Sequence, residues 1–469
     1  MRAALTMMTL LATAYACGGS GHDDFSDPIG AGARGGSSGG VGNAGGTSSA
    51  GTGAETSGGT SGTSSGGGGS NGGTTSGGSS GTAGKPTDGG AGPVGDAGAG
   101  GDGDPGTAGA GGSAPTDDCP GETTGCVIDW AGTFGTVASA SMDGVGQAAV
   151  FGDGDANTTL RAITGDGTYL YVSGSNCVRR IEIATATVQT IAGVCGSPGY
   201  VNDVGSDARF NFVDGLATDG DTLWVADSGN NRIRAVDLIN FDVNVLSGGG
   251  SAGDNDGWSG ASQYDGLRGM VLLGGNLYVV EEGNASVRRI STSNGTSSTI
   301  AGNNNNTGDV NGAGNIAEFE GPRKIATDGT DLFVGDTENH LVRRVVLGGG
   351  TASSNTVSTF AGYDVDDPNL PGHKDGPAAE ALFNGPRGVT FDGTDLIVAD
   401  SDNCVIRKIR VADGEVITMA GSVVAPCANH VVGIGMAAEF NKPTDIHYDP
   451  GSGDLFILEN SVIRRMYYK

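Results

Sequence analysis

A hairpin-like pattern recurs six times between residue 170 and the last residue. A run of alternating apolar positions leads into a short polar turn, and a second apolar run carrying an arginine follows. The stretch "LIVADSDNCVIRKI" is one copy. The copies begin at Leu170, Leu223, Leu277, Leu332, Leu396 and Leu455. Such alternation over five or six residues is typical of β-strands, so each copy predicts a β-hairpin.

Two further strands flank each predicted hairpin. Upstream runs such as "KIATDGTDLFV" and "GVTFDGTDLIV" place an Asp-Gly turn between apolar segments, and glycine accepts the positive φ of such turns. Downstream, a short strand such as "VSTFAG" or "VITMAG" follows every copy except the last. The copies start 53 to 64 residues apart. Six units of three or four antiparallel strands predict an all-β fold, a six-bladed β-propeller in which each blade is buried between its neighbours.

The two ends of the predicted ring complement each other. The last copy ends at "VIRRMYYK" without a fourth strand, whereas a surplus run, "VIDWAG" at residues 127–132, precedes the first unit. We expect the two to pair, because pairing completes the sixth blade, joins the ends of the ring and removes a sheet edge. The predicted propeller occupies residues 119–469.

These motifs resemble those of the NHL-repeat family of β-propellers, over about residues 127–469. The resemblance rests on "VADSGNNRIR", "GDTENHLVRRV" and "VADSDNCVIRKI", and on the loop "DGPAAEALF". It implies the propeller fold and leaves the activity open, because one fold carries many functions.

Each of five copies places an acid after its first strand and an arginine on its second strand, with a turn containing asparagine between them in most copies. Both charges lie among apolar residues, so each needs a partner to be buried. We predict a repeated structural network, formed across the hairpin or across blades, because a catalytic group is not needed in every blade. Blade one has Gly174 near the acid's place and keeps Arg179. The acids are Asp227, Glu281, Asp336, Asp400 and Glu459, and the arginines are Arg234, Arg288, Arg343, Arg407 and Arg464.

Six cysteines after residue 17 predict disulfides and therefore export. Two pairs flank the third and fourth strands of their blades in the same way, in blades one and five, and the third pair lies in "CPGETTGC" beside the closing strand. Zinc is the alternative for these thiols, but the pairs lack ligand spacing and histidine is scarce. The predicted disulfides are Cys177–Cys195, Cys404–Cys427 and Cys119–Cys126.

Residues 1–17 and 18–118 differ in composition from the predicted propeller. The run "MRAALTMMTLLATAYAC" has one cation, an apolar segment too short to span a bilayer, and small residues before Cys17. It resembles a bacterial lipoprotein signal peptide, which implies lipidation of Cys17; ordinary cleavage nearby is the alternative. Residues 18–118 are rich in Gly, Ser, Thr and Ala and have little apolar surface to bury, so they predict a disordered tether.

The formal net charge of −28 restricts the partners of the chain. An acidic surface repels phosphate backbones and anionic lipid, so we expect no nucleic acid and no membrane contact except through a lipid anchor. No cofactor is implied. Calcium is an open alternative, because short acidic loops offer oxygen ligands, although none has the EF-hand pattern. The candidate ligands are Asp153, Asp155, Asp254, Asp256, Asp364, Asp366 and Asp367.

The sequence favours a binding or scaffold module over an enzyme. No zinc-protease motif, P-loop or Rossmann fingerprint is present. The dissimilar inserts after each "AG" strand should all lie on one face and recognise a protein or glycan ligand at the cell surface. A metal-assisted lactonase, hydrolase or lyase on the same fold is the alternative, and it requires acids that converge on the channel mouth. The expected location is the outer membrane or cell surface as a lipoprotein, or the medium as a secreted protein.

Overall fold

The computed structural model describes residues 123–135, 141–152, 160–174, 176–302, 306–362, 370–423, 427 and 429–469. These residues form six antiparallel sheets whose innermost strands contact one another in a closed ring. The protein is therefore an all-β, six-bladed β-propeller, and the predicted fold class is confirmed. Within the described ranges, no helix is long and apolar enough to span a membrane. The predicted signal peptide and tether lie outside these ranges.

The first three blades are formed by successive segments of the chain. The strand β1 (Cys126–Gly132) precedes blade one and belongs to blade six. Blade one contains β2 (Gly144–Val145), β3 (Ala162–Gly165), β4 (Tyr169–Ser173), β5 (Cys177–Glu182) and β6 (Thr187–Gly193). Blade two contains β7 (Val213–Thr218), β8 (Thr222–Asp227), β9 (Arg232–Asp237) and β10 (Val243–Ser247). Blade three contains β11 (Leu267–Leu273), β12 (Asn276–Glu281), β13 (Ser286–Ser291) and β14 (Ser297–Ala301).

The last three blades repeat this arrangement. Blade four contains β15 (Gly312–Ala313), β16 (Pro322–Thr327), β17 (Leu332–Asp336), β18 (Leu341–Val346) and β19 (Thr356–Ala361). Blade five contains β20 (Gly376–Pro377), β21 (Pro386–Phe391), β22 (Asp395–Asp400), β23 (Val405–Arg410) and β24 (Glu415–Gly421). Blade six contains β25 (Gly433–Ile434), β26 (Asp445–Asp449), β27 (Asp454–Glu459) and β28 (Val462–Met466). Short 3-10 turns span Gly146–Ala148, Gly205–Asp207, Ser228–Asn230, Ala352–Ser354, Ser401–Asn403 and Gly435–Ala437.

The ring closes through β1. This strand pairs antiparallel with β28, with Val127 opposite Met466 and Gly132 opposite Val462. It therefore takes the place that β6 or β24 holds in its own blade, and the predicted closure is confirmed. The first and last strands of the propeller thus meet in one sheet, so that β28 is paired on both of its edges.

The core lies between the blades. The six larger hydrophobic clusters each combine side chains of neighbouring blades, as Leu223 and Tyr171 do between blades one and two. A buried aromatic residue before each innermost strand packs under the arginine of its blade, with the guanidinium carbon 4.9–5.3 Å from the ring centroid. These aromatics are Phe151, Phe210, Tyr264, Phe319, Phe383 and Phe440.

Two disulfides fasten loops to blades one and five. Cys177 is bonded to Cys195, and Cys404 to Cys427. Cys126 is disulfide-bonded as well, and its predicted partner Cys119 lies outside the described residues.

Candidate functional site

In blades two to six the repeated acid and arginine form an ion pair within the blade, across the hairpin rather than between blades. Nη1 of the arginine lies 2.8–3.3 Å from a carboxylate oxygen in every pair, and each of these side chains is 0% exposed. Burial raises the pKa of Asp336 and Asp400 to about 6, even though the neighbouring guanidiniums oppose the shift. The pairs are Asp227–Arg234, Glu281–Arg288, Asp336–Arg343, Asp400–Arg407 and Glu459–Arg464.

Each buried arginine also holds the loop before its blade. Arg407 donates from Nη1 to the carbonyl of Leu382 at 3.0 Å, and from Nη2 to the carbonyl of Lys374 at 2.9 Å and to Asp375 Oδ1 at 2.7 Å. The other four arginines donate to carbonyls at the same sequence separations, 25 and 33 residues. The same contacts recur in blades two to six, with only the arginine Nε left without a hydrogen-bond partner, and they identify a structural framework, which explains why the motif recurs.

Blades one and six depart from this framework in opposite ways. Blade one has no acid, and Arg179 instead donates to the carbonyl of Val150 at 2.7 Å and lies 3.4 Å from Asp143. Blade six adds His430, whose ring nitrogens lie 2.8 Å from Asp129 on β1 and from Glu459. Burial lowers the pKa of His430, but the hydrogen bonds with Asp129 and Glu459 outweigh it and raise the pKa above its ordinary value.

The candidate calcium loops do not form a metal site within the described part of the chain. Asp256 pairs with Arg288, its Oδ1 lying 2.8 Å from Nη2. Asp153, Asp155, Asp364, Asp366 and Asp367 lie outside the described residues. Among the residues that the structure describes, no three His, Cys, Asp or Glu side chains are grouped to hold a metal ion.

One mouth of the central channel carries a ring of polar residues that the sequence reasoning missed. In blades two to five, the ring residue directly follows the residue that pairs with the framework acid on the neighbouring strand. The six equivalent positions line one cavity of about 100 Å³. From blade one to blade six they are Arg161, Asp214, Arg268, Arg323, Arg387 and Thr444.

Two carboxylates bridge three of the four arginines. Asp214 accepts from Arg161 Nη1 at 2.9 Å and from Arg268 Nη1 at 2.6 Å. Glu282, in the turn after β12, accepts from Arg268 Nε at 2.6 Å and from Arg323 Nη2 at 2.9 Å.

The remaining guanidinium of the ring is uncompensated. The side chain of Arg387 has no hydrogen-bond or ion-pair partner among the described residues, whereas Arg161 and Arg323, whose Nε atoms are unsatisfied as well, have partners for their Nη atoms. Burial lowers the pKa of Arg323. The charges of Glu282 and, to a smaller extent, Glu338 oppose this shift, while the charges of Arg387 and Arg268 add to it. The described mouth therefore holds more positive than negative charge in a protein that is strongly acidic elsewhere.

A buried ion pair closes the floor of this mouth. Lys324 Nζ lies 2.8 Å from Asp445 Oδ2 and donates to the carbonyls of Arg161 and Asp214 at 2.7 and 3.0 Å. The inner strands approach closely here, since a Cβ on Gly269 would lie 2.8–2.9 Å from Lys324 atoms. Beneath the pair is a cavity of about 220 Å³. Its lining includes one apolar residue from each blade: Ile163, Leu216, Met270, Ile325, Val389 and Ile446.

The arginine mouth opens on the face that carries the dissimilar inserts. We call this the loop face. Its connections run from the last strand of one blade in chain order, such as β6 or β10, to the innermost strand of the next blade, between residues 193 and 213, 247 and 267, 301 and 322, 361 and 386, and 421 and 445. Each connection ends where an innermost strand begins, which is the position of the ring. The runs "GLRGM", "GPRKI" and "GPRGV" each carry an arginine at this point, and their alignment was the available signal.

Sequence comparison places this chain among repeat proteins without a shared family model. No family model matches it. It is 28% identical over 256 residues to NHL repeat-containing protein 2 of Homo sapiens, covering 48% of this chain and 35% of that protein. It is 27% identical over 286 residues to the chloroplastic protein SUPPRESSOR OF QUENCHING 1 of Arabidopsis thaliana, covering 58% of this chain and 26% of that protein. The chain thus spans about a third or less of the length of these relatives.

Structural comparison agrees on the architecture. The crystal structure of an auxiliary nutrient binding protein from Bacteroides ovatus superposes with a TM-score of 0.52 at 16% identity, covering 72% of this chain and 76% of that one. At this identity the likeness concerns the fold alone. The chain is a six-bladed β-propeller with NHL repeat-containing homologues.

Proposed function

We propose that the protein is an exported, lipid-anchored binding module of the cell surface, which takes up the anionic group of a ligand at the arginine-lined mouth of the loop face. The observation that carries the proposal is the ring of four guanidiniums compensated by only two bridging carboxylates, with Arg387 unpartnered among the described residues.

Guanidinium groups suit this task for three reasons. They stay charged at every physiological pH, and their planar fork matches the two oxygens of a carboxylate or the oxygens of a sulfate or phosphate. At the mouth they are partly removed from water, with side chains of Arg161, Arg268 and Arg323 exposed by 24–29%. A concave site with low-dielectric walls strengthens the attraction for an anion. The acidity of the rest of the protein then directs anions away from other surfaces.

Export and anchoring rest on independent features. The disulfides Cys177–Cys195 and Cys404–Cys427 suit an oxidising compartment. The segment before Cys17 resembles a lipoprotein signal peptide, and residues 18–118 have the composition of a tether. A chain of about 100 such residues reaches roughly 55 Å, enough to hold the propeller away from a membrane. A binding role also fits the name of the auxiliary nutrient binding protein with the similar fold.

An enzyme remains the second interpretation, and the mouth argues against it. A metal-assisted hydrolase needs carboxylates that are free to ligate an ion. The carboxylates nearest the mouth, Asp214 and Glu282, are each engaged by two arginines. We therefore propose a protein or glycan ligand that is bound rather than transformed, without nucleic acid as a partner.

Calorimetric titration of the full chain with acetate, sulfate and phosphate tests the proposal. We expect binding of at least one oxyanion that weakens as salt rises, and a loss of about tenfold or more in Arg387→Ala. Arg410→Ala is the matched control, because Arg410 lies on β23 of the same blade with its side chain 47% exposed. An absence of oxyanion binding, or equal affinity in both variants, would refute the anion site.

A further inference from the structure

We infer that the ligand carries its oxyanion on a sugar ring, and that the apolar face of this acidic sugar packs on Phe212 at the rim of the arginine mouth. The inference rests on the proposed function and adds the chemical class of the ligand. Phe212 has a backbone conformation that is unfavourable for a residue with a Cβ atom.

Phe212 occupies a position that three other blades give to glycine. It precedes the first residue of β7 with φ +54°, in the left-handed region. Gly266, Gly321 and Gly385 precede β11, β16 and β21 with φ values of +64°, +61° and +62°. Glycine adopts this region freely, whereas a residue with a Cβ is strained there. The backbone role is the same in both cases, since the Phe212 carbonyl accepts from Ser228 N at 3.0 Å and the Gly266 carbonyl from Glu282 N at 2.8 Å.

Burial of the Phe212 side chain in the core does not compensate for this backbone strain. The residue is 48% exposed and belongs to no buried cluster of the described residues. Its ring contact is with Arg161, whose guanidinium carbon lies 5.2 Å from the ring centroid. Lys442 in blade six is the other non-glycine residue that the structure describes at this position, and it has φ +51° and an ion-pair partner in Asp402 at 2.7 Å. A strained and exposed aromatic residue at a binding mouth indicates a role in recognition.

The surroundings of Phe212 favour a sugar over an aromatic acid. Phe212 N donates to Asn176 Oδ1 at 3.3 Å, and Asn211 and Asp214 are its close neighbours in the chain. An aromatic ligand would remove these groups from water without returning hydrogen bonds. A pyranose ring has an apolar C–H face for stacking and hydroxyl groups for amides and carboxylates. Blade two lies opposite blade five in the ring, so Phe212 and Arg387 belong to opposite sides of the mouth, while Arg161, which contacts the Phe212 ring, is a guanidinium beside it.

The test compares probes that separate the oxyanion from the ring. Titration of the full chain with glucuronate, acetate and glucose should give the tightest binding for glucuronate, because only this probe satisfies both the arginines and Phe212. Glucose 6-sulfate and glucose 6-phosphate distinguish the source of the oxyanion. Tighter binding of benzoate than of all three acidic sugars would overturn the assignment to a sugar.

Phe212→Gly provides a variant whose folding and binding effects point in opposite directions. Glycine fits the left-handed position, so we expect the melting temperature to stay equal or to rise by about 1–3 °C. The affinity for the best acidic sugar should fall about fivefold or more, while that for acetate changes less than about twofold. Equal sugar affinity in Phe212→Gly and the unmodified protein would overturn the inference. The proposed function would still stand in that case if Arg387→Ala reduced the affinity for acetate. A chain that binds no oxyanion at all would overturn both.

Discussion

Replacing Glu282 by serine should raise the affinity of the arginine mouth for oxyanions about tenfold. The Glu282 carboxylate accepts hydrogen bonds from the guanidiniums of Arg268 and Arg323 and offsets part of their positive charge. Serine fits this position, because Ser228 and Ser401 are its equivalents in blades two and five. Their hydroxyl groups donate to carbonyls at the start of the next blade's innermost strand. The variant thus removes one negative charge and retains a turn residue that the fold already uses.

The magnitude follows from Coulomb's law. An oxyanion held by the same two arginines would lie roughly 5–6 Å from the Glu282 carboxylate. Two like charges at that distance repel by roughly 0.7–3 kcal/mol for effective dielectric constants between about 80 and 20. Salt screens part of this, so about 1.4 kcal/mol, a factor of about ten in Kd, is a reasonable central value.

Calorimetric titration with acetate and glucuronate at low and moderate salt measures this change. Glu380→Ser is the matched control, because Glu380 lies in the connection before β21 with its side chain 59% exposed; its affinity should stay within about twofold. The gain in Glu282→Ser should shrink as salt rises. A loss of affinity in Glu282→Ser would refute the reasoning, since it would mean that Glu282 contacts the ligand or that its ion pairs position the arginines.

Three further predictions concern the framework and the closure of the ring. Arg407→Met should lower the free energy of unfolding in urea by about 3–5 kcal/mol, because a buried carboxylate and two carbonyls lose their donor. The control Arg410→Met should lower it by under about 0.5 kcal/mol. Similar losses in the two variants would contradict the structural role of Arg407. Because the folded pKa of His430 is raised, its contribution is complete below the unfolded pKa and is lost as pH rises through the folded pKa. His430→Gln should therefore destabilise more near pH 5.5 than near pH 9, and a pH-independent difference would contradict this. Removal of residues 119–132 should lower the melting temperature, and an unchanged value would contradict the closure.

The fold was predictable because it is stated six times in the sequence. Strand alternation, Asp-Gly turns and the repeated acid and arginine recur at regular spacing, and a repeat of this kind outweighs the ambiguity of any one segment. The surplus strand at residues 127–132 and the missing one at the C-terminus identified the closure for the same reason. The pairing of Asp400 with Arg407 within the hairpin was not predictable, because the sequence does not reveal which side of each strand faces the neighbouring blade.

The arginine mouth escaped prediction because its members differ from blade to blade. Arg323 and Arg387 stand in recognisable "GPR" runs, but Asp214 and Thr444 hold the same position without resembling them. Only the register of the sheets makes these positions equivalent. Glu282 was equally inconspicuous, since in sequence it is one more acid beside the framework residue Glu281.

A propeller of repeated units separates the residues that hold the fold from those that serve another purpose. Positions that keep the same chemistry in nearly every blade, such as Arg343 and its equivalents, are buried, and their Nη atoms are held by an acid and by loop carbonyls. Positions that depart from the repeat at a cost need a compensating role. Glu282 stands where blades two and five have serine, Phe212 stands in a strained conformation where three blades have glycine, and Lys324 buries a charge where blades two, three and five have glycine. These departures come from three different blades and meet at one mouth of the channel. Their meeting at the arginine mouth supports the proposal that this mouth binds the ligand.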